Sequence, residues 1–317
     1  MIEIVSTIRV ANAPCSWGAL EFEGLQGEEV PYSRMLDELR DTGYTGSELG
    51  DWGYMPTEAA ALRAELERRR LALVGAFVPV ALRREDAHAA GEAQALKVAH
   101  LLVEAATGAA QGDQLPFLIL ADDNGADPLR TRHAGRVMPQ MGLSQAEWRT
   151  FAGGAERIAR SVREQTGLKT AFHHHCAGYV ETPEEIARLL DMTDPELLGL
   201  VFDTGHYLFG SGRVDGAVVL EGFERFGERV WHVHFKDLQP QVAAQSRAEE
   251  WDYFTSLGHG LFCELGQGSV PFSAFAGQLR ARSYRGWVVV EQDILPGMGS
   301  PAASSQRNRD FLKTIGL

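Results

Sequence analysis

Apolar, strand-like runs alternate with helix-like stretches along the whole chain, and five of those runs end in residues whose side chains can hold a metal ion. They are Glu48, the triple histidine His173-His174-His175, Asp203, the His232 and His234 pair, and Glu291. Strand followed by helix, repeated, is the signature of βα units and a parallel sheet. A barrel of parallel strands exposes the C-terminal ends of its strands on one face, where side chains far apart in sequence can converge. The pattern therefore predicts an α/β protein, a (β/α)₈ TIM barrel in one domain over residues 1–317, with long loops over the C-terminal face.

Eight units can be placed. The first strand is expected at Ile8 to Trp17, with a helix from Tyr32 to Thr42 stopped by Gly43. Tyr44 to Leu49 is the second strand, followed by a helix from Thr57 to Arg70 that takes Thr57 as its cap and turns Leu62 and Leu66 to one face. The third, Leu71 to Val80, is almost wholly apolar, as a strand covered on both faces should be, and its helix runs from Glu92 to Gly108. Pro116 to Asp122 is the fourth, and the irregular stretch from Asp123 to Leu143 after it is too long for an idle connection, which points to a loop over the barrel mouth. Ser144 caps the helix running to Gln165, and Leu168 to Cys176 is the fifth strand. The helix beginning Thr182-Pro183 ends near Met192. Leu198 to Asp203, Val230 to Lys236 and Trp287 to Glu291 complete the set, with a second long excursion between Asp237 and Val270.

Composition narrows the function. The chain has 317 residues and a formal net charge of -13, so it lacks the basic surplus that binding a phosphate backbone requires, and nucleic acid is not an expected partner. A carboxylate-rich mouth favours a neutral polyol or sugar over a polyanion. Cys15, Cys176 and Cys263 are widely spaced and odd in number, which suits a reducing compartment and indicates no structural zinc site. No signal-like run lies in Met1 to Val10 and no membrane-length apolar run occurs anywhere, so a cytoplasmic protein with no membrane association is expected. A homodimer is compatible with the sequence.

Side chains two apart on a strand project to the same face. His173 and His175 thus share a face, as do His232, His234 and Lys236, and Glu291 and Asp293. A single histidine at a strand end is more often a hydrogen-bonded structural residue. Five histidines on two strands with acids on two others are harder to bury that way, because each unsatisfied polar group costs about 1 to 3 kcal/mol. Mixed imidazole and carboxylate ligands suit Mn²⁺, Co²⁺, Fe²⁺ or Zn²⁺ better than Mg²⁺. Asp203 alone could cap a following helix, but His206 makes that reading less attractive, since it would stand beside the ion as a substrate contact. Glu48 could pair with a cation such as Lys236 or act in catalysis, and Trp17 and Trp52 could wall a sugar-sized pocket or simply pack.

Gly43-Tyr-Thr-Gly-Ser-Glu-Leu-Gly50 with Gly53-Tyr-Met-Pro56 resembles the second βα unit of inosose dehydratases in the xylose isomerase-like superfamily of sugar isomerases and epimerases. Phe172-His-His-His-Cys-Ala-Gly-Tyr-Val-Glu-Thr-Pro183, Asp191-Met-Thr-Asp-Pro195, Phe202-Asp-Thr-Gly-His206, His232-Val-His-Phe-Lys-Asp237 and Gly286-Trp-Val-Val-Val-Glu291 resemble the same group, in the same order. The resemblance implies a divalent-metal site, Mn²⁺ or Co²⁺ first and Zn²⁺ or Fe²⁺ next. His173 stands where relatives commonly carry a first-ligand Glu, and Asp203, His234 and Glu291 match the other ligands. His206 matches a substrate contact, Lys236 a lysine kept by the dehydratases, and His175 an alternative ligand. The first-strand segment Ala13-Pro-Cys-Ser-Trp17-Gly-Ala-Leu-Glu21 departs from the polar, acidic run usual after the tryptophan in that family.

The expected activity is a metal-dependent lyase that dehydrates a polyhydroxy ketone such as 2-keto-myo-inositol through an enediolate, with Glu291 or Glu48 as base and Lys236 or His206 as acid. Trp17, His175, His206 and His232 are the expected substrate contacts. A ketose epimerase or aldose/ketose isomerase passes through the same enediolate and is the alternative. A barrel-type metal endonuclease fits the acidic balance poorly, and a sugar-binding barrel with a purely structural ion is the non-enzymatic alternative.

Overall fold

Leu198–Asp203 is apolar up to its last residue, and in the computed structural model, which describes residues 8–18, 30–108, 110–295 and 299–317, it is a strand with every residue buried. Seven further barrel positions surround it. The parallel strands are, in chain order, Arg9–Asn12, Gly46–Ser47, the pair Ala72–Leu73 and Gly75–Val80, then Phe117–Asp122, Thr170–His173, Leu198–Asp203, Val230–Phe235 and Trp287–Val290. The expected third strand is thus interrupted at Val74. Its first piece pairs with Gly46–Ser47 and its second with Phe117–Asp122, while Val74 itself bonds both ways, to Ser47 O and from Phe117 N. That continuity closes the sheet, because the last strand pairs with the first.

Alternation along the strands divides the side chains between two environments. Val10, Leu118, Leu120, Phe172, Leu200, Phe202, Val233 and Phe235 face outward into the core shared with the helices. Ala11, Ala72, Val74, Trp287 and Val289 form one small cluster in the barrel interior, and Ile119, Ala171 and Val201 with Phe77 and Phe117 form another. The interior is narrow: a Cβ on Gly46 would stand 2.7 Å from Val74 Cγ2 and 2.9 Å from the Trp287 ring.

Several local expectations shift. The first strand ends at Asn12, and Pro14–Trp17 forms a 3₁₀ turn. The second helix, Ala59–Arg69, is capped by Glu58 and not by Thr57, because the longer carboxylate reaches the N–H groups of both Ala60 and Ala61. His88–Ala105 starts its helix one turn before Glu92. The fifth strand ends at His173, so His174 and His175 lie in the loop beyond it. Ser144 and Thr182 both form capping boxes, with Glu147 and Glu185. Met1 to Thr7 and the run Ala19 to Glu21, where the sequence departs from the dehydratase pattern, lie outside the described residues.

The Asp123 to Leu143 segment is not wholly irregular. Asp127 caps a short helix, Pro128–Arg132, which turns Arg130 into the protein. The Arg130 guanidinium, with no side-chain exposure, meets both Glu185 oxygens at 2.7 and 2.8 Å. Glu185 also accepts the N–H groups of Glu181 and Thr182, so one carboxylate ties the loop to the helix after the fifth strand. Glu181 adds a second tie by accepting the N–H of Gly135 and of Ala177. Removing one partner of a buried ion pair typically costs about 3 to 5 kcal/mol. Glu185→Ala should therefore lower the free energy of urea unfolding by about that much, and a loss under about 1 kcal/mol would show that this pair does not anchor the loop.

Candidate metal centre

Register brings the candidate ligands together. Asp203 and His234 are direct partners on adjacent strands, His234 is paired on its other side with Val289, and His173 pairs with Val201 one inward position below Asp203. Glu291 follows the last strand immediately and continues its ladder through an N–H bond to Phe235 O. One ligand atom from each of His173, Asp203, His234 and Glu291 lies within 4.8 Å of the other three. His173 Nε2 is 3.8 Å from Asp203 Oδ2, and His234 Nδ1 is 3.9 Å from the same oxygen and 3.0 Å from Glu291 Oε1.

Among the described residues, both nitrogens of His173, Oδ2 of Asp203 and Nδ1 of His234 have no hydrogen-bond partner. The 3.0 Å approach of His234 Nδ1 to Glu291 falls outside hydrogen-bond alignment, so the pair is held by charge. Polar atoms buried and turned toward a common point without partners are costly, at about 1 to 3 kcal/mol each, unless a cation satisfies them. Two imidazoles and two carboxylates are also a donor set that suits a divalent transition metal, with ligand charge equal and opposite to that of the ion. The residues fit such an ion.

Asp203 does cap the following helix, and its second oxygen is left for the cluster. Its Oδ1 accepts the His206 N–H at 2.7 Å and caps the helix Thr204–Gly210, while Oδ2 turns to the cluster. The His174 ring, opposite in sense to its neighbours, meets the Asp203 N–H through Nε2 at 3.2 Å and so supports the strand tip from behind.

Lys236 projects into the same mouth. Its Nζ lies 3.1 Å from Glu291 Oε2, 3.2 Å from Asp293 Oδ1 and 3.3 Å from His206 Nε2, with the Phe262 ring centroid at 4.8 Å. Burial opposes its charge, but Asp293, Glu291 and Asp203 outweigh burial and hold its pKa well above the ordinary lysine value. Burial likewise works against the Glu291 carboxylate, yet His234 and Lys236 keep it well below the usual range. Asp203, with fewer compensations, is pushed up by burial. Desolvation drives His173 and His175 down to about 3 and His206 well below its ordinary value, so these rings are neutral. His175 sits with its ring centroid 3.8 Å from that of His206, and its Nδ1 donates to Cys176 O.

Four residues expected at the site have other partners. His232 is fully buried one inward position below His234, packed against Phe117 near the start of its strand, and its Nε2 is 2.9 Å from Glu48 Oε1. Glu48 pairs with His232 and His234 rather than Lys236; burial would raise its carboxyl, but the two imidazoles bring it down to about 2. Trp17 is 1% exposed and donates its indole N–H to Glu38 on the first helix, which makes it a packing residue. Trp52 is covered by Lys97, 4.0 Å above its ring.

Two contributors escaped the sequence. Asp293 was legible only as sharing a face with Glu291, because nothing local says that its carboxylate meets Lys236. Asp237 accepts four N–H groups, from Leu238, Gly266, Gly268 and Val270, and so anchors the loop that follows the Asp237–Leu238 and Phe262–Cys263 hairpin across the mouth. Three of those four donors, on Gly266, Gly268 and Val270, lie 29 to 33 residues ahead, beyond any spacing rule.

A model of the xylose isomerase-like TIM barrel family matches residues 36–315. The chain belongs to that family. It is 27% identical over 320 residues to the inosose dehydratase of Geobacillus kaustophilus, covering 99% of this chain and 97% of the relative. Among solved structures, the fold matches the probable 3-DHS dehydratase AsbF of Bacillus anthracis with a TM-score of 0.66 at 13% identity, over 96% of this chain and 99% of that one. It matches the IolI protein with a bound zinc atom equally well, with a TM-score of 0.66 at 12% identity over 97% and 98% of the two chains. None of the described helices is long and apolar enough to cross a membrane.

Proposed function

We propose that the protein is a divalent-metal-dependent lyase that removes water from a polyhydroxy ketone of the inosose type, with His173, Asp203, His234 and Glu291 as the metal ligands. The observation that carries this reading is the set of partnerless, buried donor atoms facing one point beside a charged lysine. Full-length similarity to an inosose dehydratase supports the substrate class, and the zinc in the IolI neighbour supports an ion in a barrel of this kind.

A divalent ion held by His173, Asp203, His234 and Glu291 would supply Lewis acidity toward the substrate carbonyl. The remaining chemistry belongs to side chains. Glu291, ionised and with the most open carboxylate of the four ligands, takes the proton from the carbon next to the carbonyl. The electron pair left by that C–H bond moves onto the carbonyl oxygen as an enediolate; when that pair returns to form a carbon–carbon double bond, the bond from the β-carbon to its hydroxyl breaks and Lys236 gives the departing oxygen a proton, so one water leaves. The enol that remains tautomerises to the dione. His206 and Asp293 hold the lysine in place by sharing its protons. Glu48 cannot serve as the base, since the His234 ring stands between it and Asp203 and Glu291.

The test is incubation of protein loaded with Mn²⁺ or Co²⁺ with 2-keto-myo-inositol, followed by mass spectrometry. Loss of one water with formation of a dione is expected, and recovery of only the substrate or an isomer would replace dehydration with epimerisation or isomerisation.

A further inference from the structure

We infer that Glu48 is a positioning residue for the metal centre: by accepting hydrogen bonds from His232 and His234 through one oxygen, it fixes the tautomer and the ring orientation of His234. The inference rests on the assignment of His234 as a ligand under Proposed function.

The geometry leaves little choice of protons. Glu48 Oε1 lies 2.9 Å from Nε2 of His232 and 2.9 Å from Nε2 of His234. One oxygen meeting two ring nitrogens can satisfy both only as an acceptor, so both Nε2 atoms carry hydrogen. With an ion bound in place of the Nδ1 proton, the His234 ring would be neutral, and an imidazole that keeps its proton at Nε2 presents its lone pair at Nδ1. In His234 that atom faces Asp203 Oδ2 at 3.9 Å and Glu291 Oε1 at 3.0 Å, on the side of the ring where the other candidate ligands converge. A carboxylate behind a ligating histidine makes the imidazole a better donor and holds its plane.

His173 offers a contrast within the same centre. Neither of its nitrogens is bonded among the described residues, so no comparable device sets its tautomer. His232 has no line to the mouth, and its use becomes clear as the second donor that locks the carboxylate. It is fully buried, its ring packs against Phe117 with centroids 5.4 Å apart, and it stands at 76° to the His234 ring. Glu48 itself is held by the backbone around it: Ser47 Oγ donates to its carbonyl, and the Leu49 N–H bonds Gly75 O. Glu48, His232 and His234 are also close enough to be a three-ligand cluster, but two hydrogen bonds of ordinary length already account for their spacing.

The experiment compares the full chain with Glu48→Gln and Glu48→Ala. Zn²⁺ and Co²⁺ affinities are measured by competition with a chromophoric chelator, together with the visible spectrum of the Co²⁺ form, metal stoichiometry, thermal unfolding after chelator treatment, and turnover at saturating metal. Loss of a partner behind a ligating histidine costs about 10- to 100-fold in metal affinity. Glu48→Ala should show that loss and a changed Co²⁺ spectrum. Glu48→Gln, which keeps an acceptor oxygen without the charge, should fall between it and the native chain, and turnover should recover in both when metal is saturating. A turnover loss with unchanged affinity would make Glu48 a base and overturn the inference, as would unchanged affinity in both variants or two ions per native chain. A native chain that binds no ion would overturn this inference and the functional proposal together. A native chain that binds one ion but dehydrates no inosose would overturn only the latter.

Discussion

Asp203→Asn should lower turnover by at least about 10³-fold, equivalent to some 4 kcal/mol of lost transition-state stabilisation, while leaving the fold intact. The substitution separates the two tasks of this side chain. An asparagine Oδ1 can still accept the His206 N–H, so the helix Thr204–Gly210 keeps its cap. What changes is the group facing the cluster, where an anionic oxygen with no hydrogen-bond partner is replaced by an uncharged amide NH2, which has no lone pair to offer an ion. The charge is expensive to the folded chain in the absence of an ion, since burial pushes the Asp203 carboxyl up. A carboxyl whose folded pKa is raised loses stability as pH climbs from the ordinary carboxylate value through the raised one. Chelator-treated Asp203→Asn should therefore unfold at the same temperature as the native chain or a higher one near neutral pH. Steady-state kinetics with metal titration and calorimetry check the two halves. A variant with native turnover would remove Asp203 from the centre, and one that unfolds earlier would mean that its carboxylate is structural.

The second large effect is expected at Lys236. General acid catalysis by a placed side chain contributes about 10²- to 10⁴-fold, and Lys236→Arg should lose a comparable factor in kcat. Arginine retains the positive charge that Asp293 and Glu291 require, but its guanidinium does not give up a proton in proteins and its planar fork cannot occupy the three-way position of Nζ. Lys236→Met is the less informative change, because it leaves two buried carboxylates facing each other without a cation. The readout is kcat at saturating metal and substrate, alongside exchange of the substrate α-proton with deuterated solvent. If Lys236 serves only the departing hydroxyl, exchange should survive in Lys236→Arg while water loss collapses. Loss of both together would assign the lysine to proton abstraction instead.

The two substitutions bracket the centre electrostatically. Asp203 is a charge that the fold tolerates at a cost, whereas Lys236 is one that the fold demands. Functional sites commonly combine such opposites, because ligands for an ion must be left unpaired until the ion arrives.

Local signals in the chain were sufficient for the fold and for naming the residues that meet in the candidate centre. Apolar runs of strand length, capping boxes at Ser144 and Thr182 and glycine stops are set by neighbours within a few residues, and they specify eight βα units whatever the rest of the chain does. That Asp203 closes its run, His234 stands one residue before the end of its own and Glu291 follows directly on its own is likewise close to what the sequence shows, so the approach of these strand tips follows once the sheet closes. Depth and partnership are different. Period-two alternation places His232, His234 and Lys236 on one face, but it does not say which of them lies at the level of Asp203, since that depends on the stagger between neighbouring strands and on the register shift at Leu200 and Val201. Tertiary packing likewise gave Glu48 two histidines as partners in place of a lysine and set the Trp17 indole against Glu38 on the first helix. Distances between residues nearly two hundred positions apart, such as Glu48 and His234, are fixed only by how the closed barrel packs, because no local interaction in the chain senses them.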